Sequence, residues 1–400
     1  MTRFERHPRL TLAAVVAVFF VACLAATETY LAHRRGSEIV AGGSSAPSPE
    51  RSLALREWMP NTRFAFAPPE ARYLRPGGPV HDVYPVDTDA DGFIEPSRVH
   101  DHPDVTIVFL GGSTTECMFV TPETRFPYLA GRLLERKTRL AINSLNGGKS
   151  GNNTLHSTLI LIGKVVPLHP DYVVLMHNAN DQAMLARLGS YWADDPDLAL
   201  VRTRKRNLET VVRDLRDMTI PRTYRAAKRT WLKLKGALTA PAAKAAEDAA
   251  RPSPTTALDP EVAAKWGKQY ESALRQFVVT ARAWGIRPVL MTQAQRGGAS
   301  DIPVAAGGYL NAEALARHGL TPESFASAHD YFNAIVRQVA QSEGVPLVDL
   351  AAERWTDADI YDGLHFNDAG SARAAEIIAD GLAPLIARDR ASNRTPAREP

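Results

Sequence analysis

Four short polar segments carry side chains that could do chemistry together. They are Gly111-Gly112-Ser113-Thr114-Thr115-Glu116, Asn146-Gly147-Gly148-Lys149-Ser150-Gly151-Asn152, His177-Asn178-Ala179-Asn180-Asp181 and Tyr361-Asp362-Gly363-Leu364-His365-Phe366-Asn367. A serine, a glycine loop, an asparagine and an Asp-x-x-His pair are the parts of acyl transfer: a nucleophile, oxyanion donors, and a base with its orienting acid. In that reading His365 takes the Ser113 proton and Asp362 holds the imidazole tautomer. The backbone N–H groups of Ser113 and Gly151 and the Asn180 amide receive the developing oxyanion. This chemistry requires no metal and no organic cofactor. Singly, each piece is weak, since Ser after Gly-Gly is an ordinary helix cap and Asn or Gly an ordinary turn residue. Their joint occurrence, in order, is the signal.

Each segment follows an apolar run. Val105–Leu110, Leu140–Leu145, Tyr172–Met176, Pro288–Thr292 and Pro346–Leu350 read as five short strands, alternating with helical patterns such as Pro122–Arg136 and the stretch from Thr154. Continuous apolar strands alternating with helices predict a parallel sheet covered on both faces, a three-layer α/β domain. In such a sheet ligands bind beyond the carboxyl ends of the strands, where these segments lie.

The pattern resembles the SGNH (GDSL-like) hydrolase family, whose four blocks lie in this order on a flavodoxin-like sheet. The resemblance runs roughly from Val105 to Ile386, leaving out a basic insert at about 186–260. Ser113 matches the block I nucleophile, Gly151 the block II glycine, Asn180 the block III asparagine, and Asp362 with His365 the block V pair. Block I reads G-G-S-T in place of G-D-S-L, a variant similar to membrane-tethered members. Asn178 stands where a glycine is usual, a residue type that tolerates φ > 0 and is placed to narrow the cleft. The resemblance implies a flavodoxin-like fold with a five-stranded parallel sheet and cleavage of an ester through an acyl-enzyme. With a tether outside the cytoplasm, it further implies a small acyl group such as acetyl on a cell-envelope polysaccharide. An O-acetyltransferase using the same site is the alternative. A non-catalytic membrane-tethered scaffold is a further one, against which Ser113, Asp362 and His365 argue.

Two other motifs fail on spacing. Gly148-Lys149-Ser150 has Asn143 where a phosphate-binding P-loop needs its first glycine. Asp87-Thr88-Asp89-Ala90-Asp91-Gly92 opens like a calcium loop, but Arg98 takes the place of the bidentate Glu, so a turn is expected. Cys117 reads as a small packed residue.

Composition sets the frame. The 400 residues are 45% hydrophobic and 23% charged, an ordinary globular usage, and two cysteines cannot build a disulfide framework. The net charge of +3 hides a basic segment: residues 201–235 carry twelve Lys/Arg against three acids. Confined to one insert, this basicity does not read as a nucleic-acid-binding face. From Leu10 to Ala26 the chain is apolar apart from Thr11, long enough for a transmembrane helix, with Arg3, Arg6 and Arg9 before it; a cleaved signal peptide, or lipidation at Phe20-Val21-Ala22-Cys23, is the alternative. The charge bias keeps the amino end cytoplasmic and places the catalytic domain outside, on the periplasmic or outer face. The expected organisation is therefore a cytoplasmic tip and membrane anchor over 1–35, a flexible linker over 36–50 and an extended lead-in over 51–104. The hydrolase-like domain follows over 105–386, then a disordered tail over 387–400. The insert reads as amphipathic helices whose Arg225, Lys228, Arg229 and Lys233, with Trp231, meet anionic lipid or an acidic glycan.

Overall fold

The computed structural model describes residues 16, 18–23, 50–53, 55–68, 77–192, 200–204, 259–296 and 321–394. The chain divides into two compact units, residues 1–50 with 203–205, and the remainder. In the first unit Val16 and Val18–Cys23 are helical and exposed. Among the described residues no helix is long and apolar enough to cross a membrane. The rest of the span expected over Leu10–Ala26 lies outside them, as does the basic segment from Lys205 onward with its lipid- or glycan-contacting face. The start of that segment, Val201–Arg204, is a short strand.

The second unit is built on one sheet. Its strands are β3 (Val105–Gly111), β4 (Ile142–Asn146), β5 (Tyr172–Met176), β6 (Arg287–Met291) and β7 (Leu347–Val348). They run parallel in the spatial order β4-β3-β5-β6-β7, the expected five-stranded parallel sheet. The order reverses between β3 and β5, where the switch-point crevice of a doubly wound sheet opens.

Side chains alternate across a strand, so β3 feeds two cores. Val105, Ile107 and Phe109 pack with α2 (Phe126–Thr138) and α7 (Asp368–Arg394). Val108 and Leu110 pack with α3 (Thr154–Ile160), α4 (Ala179–Leu188), α5 (Pro260–Ala283) and α6 (Pro322–Glu343). Each fully buried Leu, Ile or Phe here is worth about 1.5–3 kcal/mol. The helix α7 runs on to Arg394, well into the segment expected as a disordered tail. Its buried Ala374, Ala375, Ile378, Leu382 and Ile386 hold it on the sheet, and the polar turns beyond simply continue it.

The lead-in is more structured than an extended wrapper. Strands β1 (Arg63–Phe66) and β2 (Tyr84–Asp87) form an antiparallel hairpin. The Ile94 N–H donates to Asn146 O at 2.9 Å, fastening this segment to the carboxyl end of β4. The acidic run at Asp87–Gly92 forms a turn. The Asp89 carboxylate accepts the Asp91 and Phe93 N–H groups at 2.9 and 2.8 Å and the Ser97 hydroxyl at 3.0 Å.

Buried titratable groups give the fold a pH signature. Burial pushes His177 and His329 down to about 3 and Asp181 up to about 6. As pH falls from about 6.5, unfolded imidazoles take up protons that the folded ones refuse, so the two histidines cost stability down to about pH 3. Asp181 acts oppositely, adding stability as pH falls from about 6 to 3.8. Two groups outweigh one. The unfolding free energy should therefore fall between pH 6.5 and 5, by about one proton's worth or 1.4 kcal/mol per pH unit, and the melting temperature with it. His329→Gln should flatten that slope in a pH series of thermal melts; an unchanged slope would assign the acid sensitivity elsewhere.

Candidate active site

Ser113 stands at the first position of α1 (Ser113–Glu116), directly after β3, with Gly112 as the residue before the helix. Its N–H therefore has no intrahelical partner. Its hydroxyl meets His365 Nε2 at 2.7 Å. Both Asp362 carboxylate oxygens lie 2.9 Å from His365 Nδ1, and Oδ1 also accepts the His365 N–H at 3.0 Å. The Asp-x-x-His spacing works because the loop turns back on itself, so the acid reaches both the ring and the backbone of the base. The Tyr361 ring lies nearly parallel to the imidazole, 5.8 Å away and 16° from coplanar, on one side of it.

Gly151 and Asn180 arrive from the neighbouring strands. Gly151 has φ +78, a left-handed turn open to glycine at little cost. Asn180 Nδ2 donates one proton to Asn152 O at 2.7 Å, leaving its second proton for another acceptor. A Cβ on Gly112 would collide with that amide nitrogen, so the glycine before Ser113 is what lets Asn180 come alongside. Ser113, Gly151, Asn180 and His365 all line one cleft of about 440 Å³, together with Met118, Phe119, Tyr361 and Phe366. Asp362 stands behind His365. The five residues singled out by type and spacing are thus brought together at the carboxyl edge of the sheet.

Asn178 is different from expectation. Its φ is −172, an extended value any residue adopts, and its side chain points away from the cleft. Asn178 Nδ2 donates to His329 O at 2.9 Å, and its carbonyl oxygen accepts from the Gln182 amide. The partner is 151 positions away in sequence, which no local pattern reveals.

Several residues close the site from behind without a sequence signal of their own. Glu116 is fully buried, and burial pushes its carboxyl up while Ser150 and Lys149 pull it down. Its carboxylate accepts the Ser150 hydroxyl, with Lys149 Nζ 4.0 Å away. Lys149 Nζ sits 3.0 Å above the Trp58 ring, a cation–π contact that fixes the Gly151 loop to the lead-in. The lysine of the Gly148-Lys149-Ser150 stretch is therefore used in bracing. Cys117 is buried with its thiol pushed up to about 12, an inert packed group. Gln293, two residues past β6, donates from Nε2 to Thr114 Oγ1 at 2.8 Å. Its position after a strand end is the signal that could have found it.

A second Ser-His-Asp grouping lies inside the domain. Ser157 Oγ is 2.7 Å from His177 Nε2, but Asp181 is 3.9 Å from His177 Nδ1, and Ser157, His177 and Asp181 are all buried. None of them lines the cleft. Access to substrate and a close acid separate the Ser113 group from it.

Losing one oxyanion donor typically costs about 10²–10³ in rate. Asn180→Ala should therefore lower kcat by about that factor with little change in KM. Steady-state kinetics on a small ester check this, and an effect on KM alone would contradict the oxyanion role.

Among known proteins, the GDSL-like Lipase/Acylhydrolase family matches residues 109–288, which hold Ser113, Gly151 and Asn180. No curated protein matches the chain. Similar solved structures include an acetylxylan esterase from Geobacillus stearothermophilus, at 17% identity and a TM-score of 0.38, covering 69% of this chain and 94% of that one. A lipase/acylhydrolase from Enterococcus faecalis shares 15% identity at a TM-score of 0.39, covering 70% and 96%. An α/β hydrolase from the metagenome of Lake Arreo, Spain, shares 17% identity at 0.37, covering 72% and 95%. Residues 109–288 thus carry a GDSL-like lipase/acylhydrolase segment, of the SGNH hydrolases, and the chain is a hydrolase acting on ester bonds.

Proposed function

We propose that the chain is a serine esterase that removes a small acyl group, such as acetyl, from an acylated glycan of the cell envelope. The observation that carries the mechanism is the contact of Ser113 Oγ with His365 Nε2 at 2.7 Å, with Asp362 on the far side of the ring. His365 takes the hydroxyl proton as Ser113 Oγ bonds to the ester carbonyl carbon. The carbonyl oxygen, now negative, accepts hydrogen bonds from the Ser113 and Gly151 N–H groups and the Asn180 amide. The carbon–alkoxide bond breaks, His365 returns its proton to the leaving sugar oxygen, and Ser113 keeps the acyl group. Water activated by His365 then attacks the acyl carbon, releasing the acid and restoring the serine.

A cleft of about 440 Å³ with an apolar wall supports a short acyl group. The apolar run Leu10–Ala26, with Arg3, Arg6 and Arg9 before it, supports an uncleaved membrane anchor and a catalytic domain on the outer side of that membrane. The deciding experiment is product analysis on an acetylated envelope glycan, with an excess of an unacetylated sugar acceptor. Free acetate as the product supports hydrolysis. Acetyl on the acceptor sugar would make the protein an O-acetyltransferase, and no release from any acylated glycan would refute the substrate class.

A further inference from the structure

The two helix starts that carry the nucleophile and Asn180 both lack side-chain caps of their own. Gly112 precedes α1 and has no side chain to offer. Asn178 precedes α4 but makes no cap bond, because its amide is spent on His329 and Gln182. By contrast α3 and α6, which contribute none of the five site residues, are capped locally by reciprocal bonds from Asn153 and Thr321. A helix start normally leaves its first N–H groups to be satisfied by such a cap.

One side chain from beyond another strand caps the start of α4 and ties it to the start of α1. Gln293 is 6% exposed and lies just past β6, which carries no nucleophile, base or oxyanion donor. Gln293 Oε1 accepts the Ala179 N–H at 2.9 Å, at the first residue of α4 and next to Asn180. Gln293 Nε2 donates to Thr114 Oγ1 at 2.8 Å, next to Ser113. Its own backbone is held by Asn333 of α6: the Gln293 N–H donates to Asn333 Oδ1, and Gln293 O accepts from Asn333 Nδ2, both at 3.0 Å. The amide is thus clamped from behind and grips both helix starts in front.

We propose that Gln293 is a positioning residue for the reaction, setting the nucleophile turn and the Asn180 oxyanion donor in fixed relation to each other through its two amide atoms. The inference rests on the assignment of Ser113 and Asn180 made above. A packing role would be met by any side chain of this length. A positioning role needs a hydrogen-bonding atom at each end, an acceptor for the N–H of Ala179 and a partner of either kind for the hydroxyl of Thr114, which can donate or accept. A misplacement of about 1 Å at a reacting group can cost about 10² in rate, whereas ground-state binding in the cleft depends on other walls. Loss of the amide should therefore appear in kcat.

The test uses the full chain, p-nitrophenyl acetate as probe, and three variants followed by kinetics and thermal melts. Gln293→Met keeps the length and removes both bonds; kcat should fall about 10–100-fold with KM within about threefold. Gln293→Glu can still accept from Ala179 and bond the Thr114 hydroxyl, whose proton can turn, so it should recover most of the loss. Thr114→Val removes one partner and should lower kcat by itself, but add little on top of Gln293→Met, since both break the same bond. A folded Gln293→Met with kcat within twofold of wild type overturns the proposal. So do equal losses in the Met and Glu variants, or losses of Gln293→Met and Thr114→Val that multiply. If Gln293→Met does not fold, Thr114→Val alone decides, and an unchanged kcat overturns the proposal. The underlying assignment fails separately: Ser113→Ala that still cleaves the ester refutes it, whereas an inactive Ser113→Ala beside an unaffected Gln293→Met refutes only the role of Gln293.

Discussion

Ser113→Ala abolishes ester cleavage, lowering kcat by about 10⁵–10⁶, and leaves the fold almost untouched. The two halves of this expectation come from one fact: the hydroxyl faces a cleft and its bond is to His365 Nε2. Removing it orphans no buried group, because the imidazole still meets cleft water. Ala also suits the first turn of a helix. The stability change should stay within about 0.5 kcal/mol. Kinetics and a thermal melt on the purified variant check both halves. Residual activity above about a tenth of wild type would mean that another group attacks the ester.

Asp362→Asn should cost about 10⁴ in kcat. The carboxylate has two oxygens for the His365 ring and still accepts the backbone N–H groups of Leu364 and His365, at 3.3 and 3.0 Å. An amide has one oxygen for all of these donors. Once that oxygen serves the backbone, the amide N–H₂ faces Nδ1 and forces the proton to Nε2. The imidazole then presents a donor to Ser113, and it can no longer take the serine proton. KM should barely move, since Asp362 stands behind His365 and outside the cleft lining. A loss below about tenfold would show that Asp362 caps the loop without orienting the base.

The parts legible in the sequence were those written locally. Five runs were legible as strands because a strand covered on both faces is mostly apolar, although Ile142–Asn146 also buries Asn143, Ser144 and Asn146. The motifs after the first three of them and near the end of the chain were legible because each is continuous. Ser113, Gly151 and Asn180 each sit within a few residues of a strand end, and Asp362 with His365 shares a single loop. What was not legible is long-range. The side chain of Asn178 answers to His329, Gln293 answers to Thr114 and Ala179, and Lys149 answers to Trp58 in the lead-in. In each case segments distant in sequence meet through side-chain contacts, and none of them shows a periodicity that requires it. The final helix extended past the expected boundary because a helix already anchored by buried Leu382 and Ile386 can continue through polar residues without burying more.

The central claim is that Ser113 is the group that attacks the ester. The most direct measurement is to treat the full chain with a fluorophosphonate, digest it, and locate the adduct by peptide mass. One phosphonyl adduct is expected, on Ser113, formed in step with loss of activity and absent from Ser113→Ala and from protein blocked beforehand with a slowly turned-over ester. An adduct on Ser157, whose hydroxyl lies just as close to a histidine but is buried, or full inactivation with Ser113 unmodified, would contradict it.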